Sequence, residues 1–153
     1  MERLHPRVRL LWALSSVVRT SVLAAIAFAV DRFLLALPQA AIAAGWLVLV
    51  LAGVGRALLA HRIWRFELQD DALFLIRGVV TRTDTSVPYV RVQHVDTTRG
   101  PLERSVGLAS VVVYTAGSRG ADITIPGLRP ERATELRERL RDLAIESEAT
   151  DAV

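Results

Sequence analysis

The chain contains no cysteine and no lysine. Without cysteine there are no disulfides, no thiolate metal sites and no cysteine nucleophile. Without lysine there is no Schiff base, and every fixed positive charge is a guanidinium. Arginine-only, alanine-rich usage reads as coding bias before it reads as phosphate recognition. His5, His61 and His94 stand apart, without HxH or HxxxH spacing, so no metal site is expected. No GxSxG elbow, GxGxxG turn or GxxxxGK[ST] loop occurs. The sequence therefore reads as a protein without cofactor, metal or catalysis.

Charge is unevenly placed. Residues 1–60 hold six arginines against Glu2 and Asp31, whereas residues 61–153 are close to neutral. A basic excess beside apolar segments points to membrane orientation and anionic lipid. A near-neutral second half lacks the basic stripe that nucleic-acid binding needs.

The chain is organised around Phe33–Gly55, which carries no charge. Its length meets the ~20 apolar residues of a bilayer-crossing helix. Pro38 suits the entry to that helix, and Arg56, His61, Arg62 and Arg65 follow it. A second crossing is expected just before it. Arg19 would be costly at a span centre, so the crossings are placed at about 17–37 and 40–60. An alternative ends the first at Val30. Arg3, Arg7, Arg9 and Arg19 flank one end of this hairpin and Arg56, Arg62 and Arg65 the other. The positive-inside rule then puts both termini in the cytoplasm of a multi-pass cell-membrane protein. Ala41 and Gly45, four apart, are a weak packing motif.

From Arg62 the period changes to two. Short strands are expected at 62–68, 73–76, 79–87, 90–98, 109–115 and 121–125. Val90 and Val92 are expected to face inward, with a bulge between Val92 and Val95. Gly100–Gly107 reads as a single helical turn, Gly117–Gly120 as a hairpin loop, and Pro126-Gly127 as a strand stop. Pro130 opens a helix to about Glu146, with Ala133, Leu136, Leu140, Leu143 and Ala144 on its apolar face. Residues 147–153 read as a disordered tail.

Several of these stretches resemble the bacterial pleckstrin-homology (PH) domain family of YdbS type. They are Arg65-Phe-Glu-Leu68, Asp71-Ala-Leu73, Arg77-Gly78, Val87-Pro-Tyr-Val-Arg91-Val-Gln93-His-Val95, Arg99-Gly-Pro-Leu-Glu-Arg104, Gly107-Leu108 and Ile125-Pro-Gly-Leu128. The resemblance covers about residues 62–143. It implies an α+β protein: a two-helix transmembrane hairpin, then a PH-like antiparallel β-sandwich or half-open barrel with a C-terminal capping helix. The domains are then 1–60 for the anchor, 61–146 for the cytoplasmic domain and 147–153 for the tail. It implies an interaction module, partnered by a related membrane protein with repeated PH-like domains or by itself. The acidic turn Gln69-Asp70-Asp71 argues against phosphoinositide binding of the eukaryotic PH type.

The candidate contact residues are Arg62, Trp64, Arg65, Arg91 and Arg104. Arg62, Trp64 and Arg65 read either as an interfacial anchor or as an ordinary strand start with a buried Trp. Arg91 and Arg104 read first as scaffold, bonded to loop carbonyls or to Asp96 and Glu103. Their second reading is a polar patch for a partner or a lipid headgroup. The function expected is a membrane-tethered module that assembles with a protein partner at the cytoplasmic membrane surface. The alternative is anionic lipid-headgroup binding.

Overall fold

A computed structural model of the chain describes the backbone at residues 1–34, 38–117 and 122–151. It forms two units: Met1–Val8 with Ile63–Val153, and Arg9–Arg62.

The Arg9–Arg62 unit holds two helices, α1 (Val8–Leu34) and α2 (Gln39–Ile63). No proline or glycine interrupts residues 8–34, so α1 starts well before residue 17, and the Asp31-Arg32 pair does not break it. Residues 35–37, and with them the expected end of the first crossing, lie outside the described residues. Pro38 directly precedes α2, and its carbonyl accepts the Ala41 N–H at 2.8 Å. At ~1.5 Å per residue both helices exceed the ~30 Å hydrocarbon core. Leu10, Leu14, Val22, Leu23, Leu47, Val48 and Leu51 are exposed along them. A soluble core helix buries such residues, and these are left for lipid. The two helices meet where a Cβ on Gly53 would overlap Ser16 Oγ, and Trp46 Nε1 donates to Ser21 Oγ at 3.2 Å. Gly45 meets nothing within 4 Å, so the Ala41/Gly45 motif is not where they pack.

The other unit contains two antiparallel sheets, ordered β1-β2-β3-β4 and β5-β6-β7, that do not close into a barrel. The strands are β1 (Glu2–Arg3), β2 (Arg65–Leu68), β3 (Ala72–Arg77), β4 (Thr83–Pro88), β5 (Val92–Thr98), β6 (Ala109–Thr115) and β7 (Ile123–Leu128). The short helix α3 (Pro101–Ser105) joins β5 to β6, and α4 (Pro130–Asp151) follows β7. Apolar alternation builds the core: Leu73 and Leu75 of β3, Val111 and Val113 of β6, and Ile123 and Ile125 of β7 are all buried. Helix α4 adds Ala133, Leu136, Leu140 and Ala144, spaced three and four apart, and packs on β5, β6 and the turn before β5.

Sequence and structure differ at several places. Glu2 and Arg3 pair with Phe66 and Arg65, so the chain start is a strand of the domain and not part of the anchor. Leu4 and Val8 are buried there, the His5 N–H donates to the Gly127 carbonyl at 2.8 Å, and Arg7 Nη1 donates to the Val106 carbonyl at 3.2 Å. Strand β7 runs through Pro126-Gly127 to Leu128, because Gly127 takes φ +66° and bends without breaking the strand. The 79–87 stretch starts its strand only at Thr83. Tyr89–Arg91 is a 3₁₀ turn, which breaks the period-two pattern and leaves Val90 exposed while Val92 is buried. The bulge expected after Val92 is present between Val92 and His94. Helix α4 continues to Asp151, so residues 147–151 are helix where a loose tail was expected. Glu146, Glu148 and Ala149 favour helix, and Ser147 Oγ bonds the Ala144 carbonyl at 2.8 Å. Of the Gly117–Gly120 loop only Gly117 is described.

Candidate functional site

The turn Tyr89–Arg91 and the helix α4 flank a groove on the domain surface. Tyr89 is 1% exposed, and its hydroxyl donates to the Gln69 carbonyl at 2.7 Å while its N–H donates to the Asp71 carbonyl at 3.2 Å. The ring thus clamps the β4–β5 corner to the β2–β3 turn. Burial, then the nearby Asp71 carboxylate, push the Tyr89 hydroxyl above the ordinary 10.0. A raised phenol contributes stability that is complete below the unfolded value and is lost as pH rises through the folded one. In a Tyr114→Phe variant Tyr89 is the only remaining tyrosine. Absorbance titration of that variant should show ionisation later than in the unfolded chain, with stability falling over the same alkaline range. Ionisation at the ordinary value would contradict the clamp.

Beyond this corner, β5 is an edge strand, paired among the described residues with β6 on one side only. Between it and α4 lies a groove of about 740 Å³. Its apolar part is Val95, Ala144 and Ile145, the last 57% exposed. Its polar part contains two internal pairs, His94 Nε2 with Asp96 Oδ1 at 2.8 Å and Arg137 Nη2 with Glu138 Oε1 at 3.5 Å, together with Arg141. Arg141 has no carboxylate partner among the described residues. The groove combines the edge of β5, an apolar patch and charges of both signs, with Arg141 and Glu148 outside the two pairs.

The five residues expected from sequence lie on different elements. Trp64 is buried, its ring edge-on to Phe66 with centroids 6.3 Å apart. It takes the core reading, which corrects its place among the contact residues. Arg62 is exposed on the last turn of α2. Arg65 is half-buried at the start of β2, opposite Arg3. Arg91 is exposed and lines a second cavity of about 360 Å³ with Arg77, Ser86 and Asp122. Arg104 is exposed on α3.

Among the described residues neither Arg91 nor Arg104 is paired with the expected carboxylates Asp96 and Glu103. Glu103 instead accepts from the Gly100 N–H at 2.9 Å and from Ser110 Oγ, and Asp96 is held by His94. Sequence reasoning missed Arg3, Arg77 and the whole β5–α4 groove. Arg77 was visible in the Arg77-Gly78 turn, whereas Arg3 carries no local signal of its pairing.

A second tie is Arg132 on α4. Its guanidinium donates to Glu2 through Nε at 3.0 Å and Nη2 at 2.6 Å, and Nη1 reaches Glu135 at 3.3 Å. These bonds, the one to Glu2 first, raise the Arg132 pKa further. The fork anchors β1 to α4.

Two antiparallel sheets with a long C-terminal helix, joined to a pair of exposed apolar helices of bilayer length, define a membrane protein with a PH-like domain. The family model for the bacterial PH domain matches residues 14–144, and the chain belongs to that family. Over 84 residues it is 39% identical to the UPF0699 transmembrane protein YdbS of Bacillus subtilis (strain 168). That stretch is 55% of this chain and 51% of the relative, so the match spans about half the relative's length. No solved structure matches the chain.

Proposed function

We propose that the protein is a membrane-tethered docking module that binds an extended segment of a partner membrane protein in the groove between β5 and α4. The observation that carries this reading is the open edge of β5 beside that groove. An unpaired strand edge accepts a further strand through main-chain hydrogen bonds, and the flanking pockets read alternate side chains. An apolar residue of the segment rests on Val95, Ala144 and Ile145, and an acidic one reaches Arg141. His94 is bonded to Asp96 and Arg137 to Glu138, so these side chains are engaged with each other, which suits binding better than acid–base catalysis. The partner is a related protein with PH-like domains or a second copy of this chain.

The same reading places the domain at the cytoplasmic face. The helix pair leaves the domain after β1 and returns to it at β2, two strands paired with each other. Two crossings satisfy that connection, with both termini on one side, and the flanking arginines favour the cytoplasm. Tethering raises the effective concentration of the domain at the bilayer, so a modest intrinsic affinity suffices.

Pull-down of the full chain in mild detergent, with mass measurement of the intact complex, tests this. Ile145→Glu sits on an exposed position and should leave stability within about 0.5 kcal/mol. It should weaken the complex about tenfold or more, equivalent to ~1.4 kcal/mol. A complex of undiminished mass and yield with this variant would overturn the groove assignment.

A further inference from the structure

The four-stranded sheet has a basic end and an acidic end. At one end Arg3 stands opposite Arg65, Arg65 opposite Ile76, and Arg77 opposite Thr83. Arg82 lies in the following turn and is paired with Asp84 at 3.2 Å. At the other end are Glu67, Asp70 and Asp71. The basic end is the one joined to the bilayer-length helices, since only Trp64 separates Ile63, the last residue of α2, from Arg65.

Two features of this end are unusual for a surface facing only water. Arg3 and Arg65 are direct cross-strand neighbours, and like charges so placed destabilise a sheet. Among the described residues neither has a carboxylate partner, nor does Arg77. The arrangement calls for anions from outside the domain.

The second feature is the turn between β3 and β4. Gly78 takes φ +100°, and a Cβ there would overlap the Thr81 carbonyl, so the backbone is held in one tight path. That path leaves Val80 93% exposed, more than any other described large hydrophobic residue. A lone exposed valine is ordinary. This one sits at the tip of a turn, where polar residues are usual, between Arg77 and Arg82 and at the sheet end that continues into the helices.

We propose that this end of the domain docks on the anionic surface of the bilayer, with Arg3, Arg65 and Arg77 on lipid headgroups and Val80 in the interface. Charge complementarity selects the occupant, and the chain connection to α2 supplies proximity. Anionic leaflets attract juxtamembrane arginines within about a Debye length, ~8 Å at physiological salt. An interfacial apolar side chain adds a contact that salt does not screen. The docking fixes the sheet end and leaves the β5–α4 groove for a protein.

The natural chain has no cysteine, so one introduced at position 80 is a unique label site. The full-length Val80→Cys protein carries an environment-sensitive fluorophore and is reconstituted into vesicles of phosphatidylcholine alone or with phosphatidylglycerol. With phosphatidylglycerol the emission should shift to the blue and be quenched by lipids bearing a headgroup-level nitroxide. The shift should shrink in phosphatidylcholine alone, and in the anionic vesicles when Arg65→Gln and Arg77→Gln are combined. The same label in Asp70→Cys, at the acidic end, should stay water-like throughout. Water-like emission from position 80 in anionic vesicles would overturn the proposal, as would equal emission in both lipids. The readout is lipid contact at the β3–β4 turn, in a different sheet from β5, so the docking and the groove assignment fail separately.

Discussion

Gly127→Ala is expected to weaken the domain by about 2–5 kcal/mol and to release its N-terminal strand. Two effects combine. Gly127 has φ +66°, in the left-handed region where a side chain costs about 1–2 kcal/mol. The new Cβ would also lie 2.6 Å from Val8 Cβ and 2.7 Å from Val8 Cγ2, and Val8 is 2% exposed with no space to retreat into. Forcing atoms into such a contact costs roughly 1–3 kcal/mol. The Gly127 carbonyl also receives the His5 N–H, so any shift strains the tie that positions Leu4. Hydrogen exchange of the full chain in detergent should show residues 2–8 losing protection before the rest of the domain. Val8→Ala in the same chain removes the Cγ contacts but keeps the Cβ at 2.6 Å, so it should recover only part of the overpacking share and none of the backbone share. Unchanged protection of residues 2–8 in the single variant would show that the N-terminal strand is not held at Gly127.

Helix-forming and strand-forming patterns were legible wherever the signal is local. The 23-residue uncharged run at 33–55 announced α2, and Ala109–Thr115 announced β6 residue for residue. The face of α4 was legible from Ala133, Leu136 and Leu140 because the 3.6-residue period reports burial directly. What stayed hidden is non-local. Glu2 and Arg3 form too short a strand to show a period, and they become a strand only by pairing with residues more than sixty positions away. The Val90–Thr98 alternation was misread at its start because the 3₁₀ turn adds a rotation that a period-two pattern cannot carry. Trp64 was ambiguous for a different reason. An amphipathic ring beside a membrane helix suits both an interface and a core, and only its packing against Phe66 separates the two. The groove could not be foreseen, since it is made by β5 and α4, elements far apart in the chain.

The helix pair is inserted between β1 and β2. Strand β1 is bonded to β2, to Gly127 of β7 through His5, and to α4 through Glu2 and Arg132. Both chain connections of the helix pair therefore adjoin strands of the sheet, β1 before α1 and β2 after α2.

The second large effect is expected at Tyr89, where ring and hydroxyl separate cleanly. Tyr89→Ala removes a fully buried aromatic side chain and should cost about 3–5 kcal/mol. Tyr89→Phe keeps the ring and deletes only the hydrogen bond to the Gln69 carbonyl, which should cost about 1 kcal/mol. Denaturant midpoints of the two variants, measured on the full chain, give the comparison. The structural consequence follows the same division. The Tyr89–Arg91 turn packs against α4 and leads directly into β5, so an emptied ring site lets α4 settle toward the corner and alters the groove. Partner capture should then fail in Tyr89→Ala and persist in Tyr89→Phe. Equal midpoints for the two variants would move the clamp from the ring to the hydroxyl. A Tyr89→Ala protein that keeps its midpoint and its partner would remove Tyr89 from both roles. The expected order (native, then Phe, then Ala) ties groove integrity to the packing of one residue outside the groove's lining.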